Sequence, residues 1–437
     1  MKADNGGIVV CDTVVLFGNS GSTAFFGKNS DRHPDEPQAL VLVPAREPGT
    51  VRLREGVHVP DKGLAFLLSK PSWMKGGEMG INSHGLAIGN EAVFSRFKPA
   101  PDGVLGMDML RAVLGACSTA REAVDFLTSL VETCPQGGNG AFKGSMVYNN
   151  SFLCVDAHEA YIVETAGNRW AWRPAMAADA ISNAYCIEDD YKRLDMQTRK
   201  EIAPVNERAA CSDEADPGRK GSRNSWKAHV EDRKYLFFTK GEMRRSQSLS
   251  GLMRLAAARS TMDAVSMRTG MMKLLGSHDG AAEPGPILGH MKNLCVHPGL
   301  FPRSATTASM IVEYLPEGAL IWYPGTSYPC ISIFKPVLLY RGVFHSLWKP
   351  IPGESDGESV YAYWNRWRQW AHAGGLKKAS SPDFAASRDD VQRSIGLIAA
   401  KAHESVADGL SPQGRLSPMY AGEIAALVSE WEARWIH

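Results

Sequence analysis

Residues 7–32 read GIVVCDTVVLFGNSGSTAFFGKNSDR, in which two apolar runs flank a polar segment. The segment Asn19-Ser20-Gly21-Ser22 has the composition of a turn. The pattern predicts a β-hairpin formed by the strands Cys11–Gly18 and Thr23–Ser30. Further apolar runs follow up to residue 93, each bounded by glycine, proline or polar residues, so we expect the hairpin to extend into a sheet.

The register of this hairpin decides which side chains lie near Cys11. If Gly18 pairs with Thr23, paired residue numbers sum to 41 and Cys11 lies opposite Ser30. The same end of the hairpin then carries a carboxylate, an amide and a cation, supplied by Asp31, Asn29 and either Lys28 or Arg32. A cysteine nucleophile needs groups that stabilise its thiolate and orient its base. The alternative is that Cys11 is an ordinary apolar strand residue.

The base for such a thiol is available on Cys11 itself. If the Val10–Cys11 bond is cut, the freed α-amine has an ordinary pKa of about 7.7–8.0, which suits proton transfer at neutral pH. The amine also lies on the same Cα as the thiol, so its orientation is largely fixed. His33 is the only histidine close in sequence, and a histidine that is close only in space is not excluded at this point.

The composition restricts the class of protein. The chain has 437 residues, a formal net charge of +1, and 44% hydrophobic and 22% charged residues, which is typical of a globular protein. This charge gives no reason to expect nucleic acid or an anionic membrane as a partner, and the basic pair Arg244-Arg245 is interpreted as a solvated helix face. No apolar stretch reaches the roughly 18 residues of a membrane span, and Asp4 stands where a signal peptide would be apolar. We therefore expect a cytoplasmic protein.

The cysteines and histidines give no standard metal motif. The eight cysteines are scattered without a CxxC pair, which favours reduced thiols over a zinc ribbon or a redox pair. Cys295 and His297, with His278 and His290 nearby, have a spacing that fits no standard metal site, so packing roles are favoured. We expect neither a metal nor an organic cofactor.

Periodicity predicts the other elements. Apolar residues at three- and four-residue spacing begin at Met107, and Ser118 or Thr119 is expected to cap a helix that starts at Ala120. Other helices are predicted at 249–257, 261–273, 360–373, 388–405 and 421–435, and a strand pair at 309–314 and 319–323. The polar residues 206–234 are expected to form a surface excursion. The mixed order of elements favours antiparallel sheets covered by helices.

A series of motifs extends the argument beyond the hairpin. In order they are CDTVVLFGNSGSTAFFGKNSDRHPDEPQ (11–38), GINSHGLAIGNEAV (80–93), GMDMLR (106–111), CPQGGNG (134–140), YIVETAGNRWAW (161–172), ISNAY (181–185), TTASMIV (306–312) and GTSYPCISIFKP (325–336). Together they resemble peptidase family C69, the dipeptidase and secernin family, in a secernin-like member. The resemblance implies an α+β fold, the αββα sandwich of N-terminal-nucleophile hydrolases, related to penicillin V acylases and bile-salt hydrolases.

The resemblance also implies a catalytic set. Cys11 matches the N-terminal nucleophile of the family, whose own amine is the general base. Asp31 is then the residue that holds this amine. Asn90 and Asn183 match the asparagines that complete such sites, where an amide N–H stabilises an oxyanion.

Three further residues are expected to bind substrate. Lys28 stands where the wider group has an arginine, and Arg303 is a candidate for the basic residue that the group supplies from later in the chain. Glu91, beside Asn90, either binds the free amine of a substrate or forms a structural ion pair.

The implied organisation is a leader at residues 1–10, a catalytic domain at 11–340 and a C-terminal helical segment at 341–437 packed on the same domain. The implied activity is that of a cysteine dipeptidase acting on small peptides. One alternative is an N-acyl amide hydrolase, as in the acylase relatives. Another is a non-catalytic, secernin-like role in regulated exocytosis through partner binding. A homo-oligomer is compatible with the sequence.

Overall fold

The computed structural model describes residues 10–18, 21, 23–209, 224–234, 236–279, 289–300, 303–407 and 418–436. Residues 1–9 of the implied leader, three residues of the predicted turn (19, 20 and 22) and residues 210–223 of the predicted excursion lie outside the described residues.

Seventeen strands in the described part of the chain form two large sheets and a two-stranded ribbon. In chain order they are β1 (Val10–Phe17), β2 (Thr23–Arg32), β3 (Gln38–Val43), β4 (Gly49–Arg54), β5 (Val57–Asp61), β6 (Phe66–Pro71), β7 (Met79–Asn82), β8 (Ala87–Val93), β9 (Asn149–Val155), β10 (Ala160–Ala166), β11 (Arg169–Pro174), β12 (Ala178–Ile181), β13 (Arg193–Leu194), β14 (Ala305–Leu315), β15 (Gly318–Tyr323), β16 (Lys335–Tyr340) and β17 (Val343–Ser346). The first sheet has the order β12-β1-β2-β14-β15-β16-β17 and the second the order β13-β11-β10-β9-β8-β7-β6-β3. Neighbouring strands in both sheets pair antiparallel, as predicted.

Helices cover the outer face of each sheet. In the described residues they are α1 (Gly106–Ala116), α2 (Ala120–Thr133), α3 (Met196–Ala209), α4 (Trp226–Val230), α5 (Leu236–Thr239), α6 (Gly241–Ala258), α7 (Ala264–Leu275), α8 (Ala362–Trp370), α9 (Leu376–Ala379), α10 (Pro382–Ala407) and α11 (Pro418–Trp435). Helices α1 and α2 pack on the second sheet, and α6, α7 and α10 pack on the first. The four layers in the order helix, sheet, sheet, helix confirm the expected αββα sandwich.

Alternation along β1 aims successive side chains at different layers. Val15 belongs to the apolar cluster between the two sheets, whereas Val14 packs against Met271 and Leu275 of α7 on the outer face. Because strand side chains alternate with a period of two, Cys11 points into the space between the sheets and Asp12 points toward the helices.

The hairpin register is confirmed where it matters for Cys11. Cys11 pairs with Ser30 and Val10 with Asp31, so residue numbers sum to 41 as predicted. At the turn, however, Thr23 pairs with Phe17 instead of Gly18. A β-bulge after Leu16 accommodates this difference, so it does not reach the far end of the hairpin.

The predicted cap of α2 is also confirmed. The α2 helix begins at Ala120, and Thr119 Oγ1 accepts a hydrogen bond from the Glu122 N–H at 3.2 Å. A Ser or Thr that precedes an acidic residue by three positions satisfies one free N–H of the first helical turn, which is why the sequence located this start.

The prediction that residues 206–234 form a surface excursion is wrong at Trp226 and Val230, whereas Ala228, Arg233 and Lys234 are exposed. Trp226 and Val230 of α4 are fully buried in the cluster between the sheets, where Trp226 meets Tyr185 edge to face at 6.3 Å. Polar neighbours in the sequence obscured this single buried helical turn.

The C-terminal helices share a hydrophobic cluster with the first sheet. Trp367, Phe384 and Trp431 pack in the same cluster as Trp322 and Leu338 of β15 and β16. None of the helices in the described residues has the length and apolar character needed to cross a bilayer.

Candidate active site at Cys11

The backbone of Cys11 is held in a buried polar site. Its N–H donates to Asn183 Oδ1 at 2.7 Å, and its carbonyl accepts from Ser182 Oγ at 3.2 Å. The contact arises because β12 pairs with β1 and ends at Ile181, two residues before Asn183. Cys11 and Asn183 are at most 1% exposed. The fold therefore brings two predicted residues together through the nitrogen of Cys11.

The Cys11 thiol faces a buried ion pair. Its Sγ lies 3.5 Å from Glu78 Oε2, and Glu78 Oε1 accepts from Arg32 Nη1 at 2.5 Å. Burial raises the pKa of the Cys11 thiol well above its ordinary value, and the charge of Lys28 opposes this shift without overcoming it. The thiol is therefore protonated in the uncleaved chain. Among the described residues, no histidine forms a hydrogen bond with Cys11.

Asp31 offers an unused acceptor beside the Val10–Cys11 bond. It pairs with Val10 across the hairpin, and its Oδ1 accepts from Thr306 Oγ1 at 2.5 Å. Its Oδ2 is buried without a hydrogen-bond partner in the described part of the chain. Burial raises the pKa of Asp31, and the neighbouring Asp12 raises it further. Because an unsatisfied buried acceptor costs about 1–3 kcal/mol, this oxygen suits one further hydrogen-bond donor.

Lys28 contacts two other residues of the predicted set. Its Nζ donates to the Asn90 carbonyl at 2.7 Å and to Glu91 Oε1 at 2.9 Å. Thr13 also donates to Glu91, and burial raises the pKa of Glu91 to about 7. Glu91 thus forms the structural ion pair that the sequence left open, and in this state it is not a free anchor for a substrate amine. Asn90 Nδ2 donates to Asn150 Oδ1 at 3.2 Å, which orients the Asn90 side chain.

Arg244 supplies a buried cation beneath Cys11. Its guanidinium donates to Asp12 Oδ2 at 2.8 Å, to Asn183 Oδ1 at 2.6 Å and to Ser182 Oγ at 3.1 Å. It thereby fixes the amide oxygen that accepts from the Cys11 N–H. The predicted solvated helix face is wrong at this position, because Arg244 is 0% exposed.

Arg303, the sequence candidate for a late basic residue, lies near two histidines. It is exposed, and its charge acts on His33 and His372. No hydrogen bond or ion pair of the described residues joins Arg303 to Cys11 or Asn183. Arg244 is the later basic residue that contacts Asn183, and a substrate-binding role for Arg303 stays a prediction.

Two residues of the site, Glu78 and Arg244, were not predicted. The signal for Glu78 was indirect, since a buried Arg32 requires an acidic partner. The signal for Arg244 was its place on one face of α6. Counted with Arg244, the residues Gly241, Ser248 and Leu252 follow one another at three- and four-residue spacing, and all are buried.

Comparison with known proteins gives one family match. A sequence profile of the acyl-coenzyme A:6-aminopenicillanic acid acyl-transferase family matches residues 18–170. This range contains Lys28, Asp31 and Asn90, whereas Cys11 and Asn183 lie outside it. The match and the four-layer architecture agree on an N-terminal-nucleophile hydrolase fold. Membership of family C69 stays a prediction.

Two solved structures resemble the chain weakly. They are a mutant and a variant of the conjugated bile acid hydrolase from Clostridium perfringens. The first has 13% identity and covers 72% of this chain and 88% of its own, with a TM-score of 0.40. The second has 12% identity and covers 73% of this chain and 89% of its own, also with a TM-score of 0.40. Similarity at this level says nothing about the substrate.

Proposed function

We propose that this protein is a cysteine amide hydrolase in which Cys11 becomes the N-terminal residue and the nucleophile. The observation that carries this proposal is the orientation of polar groups toward the Cys11 nitrogen. Asn183 binds that nitrogen at 2.7 Å, and Asp31 presents an unpartnered oxygen across the ladder from Val10. A peptide nitrogen cannot act as a base, because its lone pair is delocalised into the carbonyl. A free amine with an ordinary pKa of about 7.7–8.0 takes the thiol proton at neutral pH.

Cleavage of the Val10–Cys11 bond is proposed to occur within the chain. The Cys11 Sγ attacks the Val10 carbonyl carbon, the C–N bond breaks, and the nitrogen takes a proton and becomes an amine. Water then hydrolyses the thioester, which leaves a carboxylate on Val10 and restores the thiol. The thiol proton needs a base before the amine exists, and the 3.5 Å contact of Sγ with Glu78 supports Glu78 in this role.

Replacing Glu78 with glutamine is expected to slow this cleavage by about 10²–10⁴-fold, the range typical of losing a general base. Glutamine keeps the size of the side chain and an oxygen for Arg32 but takes no proton. The rate is measured by intact mass after synthesis of the full chain. Glu36→Gln is the matched control, because Glu36 accepts from the same Arg32 at 2.9 Å and makes no contact with the thiol. Equal slowing in both variants would show that a disturbed Arg32, and not a lost base, limits cleavage.

In the mature enzyme the Cys11 amine is proposed to take the thiol proton. The thiolate attacks the substrate carbonyl, and an acyl-enzyme forms as the leaving amine takes the proton; water then releases the acid. Asn90 and Asn183 are proposed to stabilise the oxyanion. Each amide has two N–H donors and the described contacts use one of them, to Asn150 and to the Ala92 carbonyl.

The substrate class that the comparison supports best is an N-acyl amide, since the matched family is described by an acyl transfer. Dipeptides come second, supported by the order of the motifs between residues 11 and 336. The pairing of Glu91 with Lys28 removes the group that the sequence offered for a dipeptide's free amine.

The two classes are separated by kcat/KM on a matched substrate pair, an N-acylglycine and a dipeptide with C-terminal glycine. We expect the N-acyl compound to be the better substrate for the processed chain. If turnover instead required a free α-amine on the substrate, the activity would be that of a dipeptidase. No turnover of either class by a fully processed chain would contradict the proposed function.

A further inference from the structure

Four metal-ligating side chains from three segments meet behind the first sheet. His278 follows α7, Cys295 and His297 precede β14, and Cys330 lies in a short 3-10 turn at Pro329–Ile331. Their ligating atoms all lie within 4.8 Å of one another. In the described part of the chain, no hydrogen bond joins these side chains to Cys11, although Val296, between two of them, packs in one cluster with Val10.

The distances within this cluster suit a tetrahedral metal ion. His297 Nε2 lies 3.2 Å from Cys330 Sγ and 3.6 Å from Cys295 Sγ. A zinc ion bound to sulfur at about 2.3 Å and to nitrogen at about 2.0–2.1 Å holds the two atoms about 3.5 Å apart. The largest separation in the set is 4.8 Å, which side-chain rotation on metal binding can shorten.

Buried imidazole nitrogens at this position lack partners. Nε2 of His278 and both ring nitrogens of the neighbouring His290 have no hydrogen bond to any described residue, and His290 is only 6% exposed. The rings of His278 and His290 are 4.9 Å apart, and those of His278 and His297 are also 4.9 Å apart. Buried polar atoms are normally satisfied, and a neutral imidazole has one N–H and one lone pair, so these rings offer nitrogen lone pairs that suit a metal ion.

The scaffold that holds the ligands is ordered by its own contacts. The Cys295 N–H donates to the Ser277 carbonyl at 3.2 Å, and the His290 N–H donates to the His297 carbonyl at 2.9 Å. The His297 ring stacks on Tyr328 at 4.6 Å, which fixes the plane of the imidazole. A cavity of about 110 Å³, lined by Cys330 and by the exposed Lys273, borders the cluster on the side of Cys330.

We propose that His278, Cys295, His297 and Cys330 bind one zinc ion. Two thiolates and two imidazoles in a tetrahedral arrangement are the ligand set that zinc prefers, and binding displaces the thiol protons. Sequence spacing argued against a site because local motifs place ligands a few residues apart. Cys330 comes from beyond two strands of the first sheet, and only the fold brings it to His297.

The zinc ion has a structural role in this proposal. Val296 lies between two of the ligands, and its N–H donates to Thr306 Oγ1 at 2.8 Å. Thr306 in turn donates to Asp31 at 2.5 Å. A metal that fixes residues 295–297 therefore supports the position of the Asp31 carboxylate.

The test is the metal content of an untagged full-length chain, purified with a reductant and without chelator. We expect about one zinc per chain, and at least a tenfold loss in Cys330→Ser. Cys134→Ser, which changes a partly exposed cysteine outside the cluster, is the matched control and keeps its zinc. The same measurement on Cys11→Ala is independent of hydrolase activity, so failure of the proposed function leaves it intact.

Cobalt provides a second measurement that does not depend on how well a variant folds. The metal-free wild-type chain titrated with Co²⁺ is expected to develop thiolate-to-metal charge-transfer bands and the intense visible bands of tetrahedral cobalt. His278→Gln, in the loop after α7, is expected to weaken cobalt binding, and it replaces Cys330→Ser as the test variant if Cys330→Ser does not fold. A reduced wild-type chain with neither zinc nor a cobalt spectrum would overturn the proposal. Zinc content unchanged in Cys330→Ser would overturn it as well.

Discussion

Cys11→Ala is expected to abolish both cleavage of the chain and amide hydrolysis. Without Sγ there is no atom to attack the Val10 carbonyl, so the variant keeps its leader. The same loss removes the nucleophile from turnover, and we expect kcat/KM to fall by about 10⁴-fold or more. Intact mass measures the first effect and steady-state hydrolysis of an N-acylglycine the second. If the variant is shown to be folded, the loss of both reactions is a chemical defect and not a folding defect.

Cys154→Ala is the matched control for this variant. Cys154 is also a fully buried strand cysteine, located on β9 and packed on the outer face of the second sheet. Its loss removes one buried sulfur, with an expected cost of about 1–2 kcal/mol in the free energy of unfolding and no effect on cleavage. A folded Cys11→Ala chain that hydrolyses substrate normally would contradict the nucleophile assignment. Cellular function that survives Cys11→Ala would instead favour the secernin-like binding role.

Arg244→Met is expected to cost about 3–5 kcal/mol in the free energy of unfolding, because it leaves the Asp12 carboxylate buried and unpaired. Arg244 also binds the Asn183 oxygen that accepts from the Cys11 N–H, at 2.6 Å, so cleavage is expected to slow in parallel. Urea unfolding in the Cys11→Ala background compares uncleaved chains only. The cleavage rate is measured with Cys11 present.

A second substitution separates the two effects of Arg244. Asp12→Asn in the Arg244→Met chain removes the unpaired charge and is expected to restore part of the stability without restoring cleavage. Arg245→Met is the neighbouring control, since Arg245 is partly exposed and binds the Ala180 carbonyl at 2.7 Å. Its other partner, Asp179 at 3.3 Å, keeps a closer ion pair with Arg173 at 2.6 Å when Arg245 is lost. We expect it to cost about 1 kcal/mol or less. If Arg244→Met lost no more stability than Arg245→Met and was cleaved at the normal rate, the role assigned to Arg244 would be wrong.

The hairpin at Cys11 was predictable because its information is local. A turn segment and two apolar runs set the register. The predicted pairing differs from the observed one by one residue at the turn, and the bulge after Leu16 removes this difference before Cys11. The α2 start was predictable for the same reason, since Thr119 and Glu122 lie within one helical turn. The positions of Asn90 and Asn183 came from the motifs of a family resemblance and not from local chemistry.

The remaining site residues depend on contacts between distant segments. Arg244 lies 232 residues from Asp12, and nothing in the pair Arg244-Arg245 shows which arginine faces the sheet. Glu78 lies 67 residues from Cys11, next to a strand of the other sheet. Spacing rules cannot find such partners, because burial and charge pairing are decided only when the two sheets stack.

The most direct test of the account is the N-terminus of the untagged protein expressed from Met1 and recovered in a form that hydrolyses amides. Intact mass and N-terminal sequencing together identify its first residue. The account predicts a chain that begins at Cys11, with its amine free and residues 1–10 removed. An active chain that still begins at Met1 or Lys2 would keep the Cys11 nitrogen in a peptide bond and would contradict the N-terminal-nucleophile mechanism.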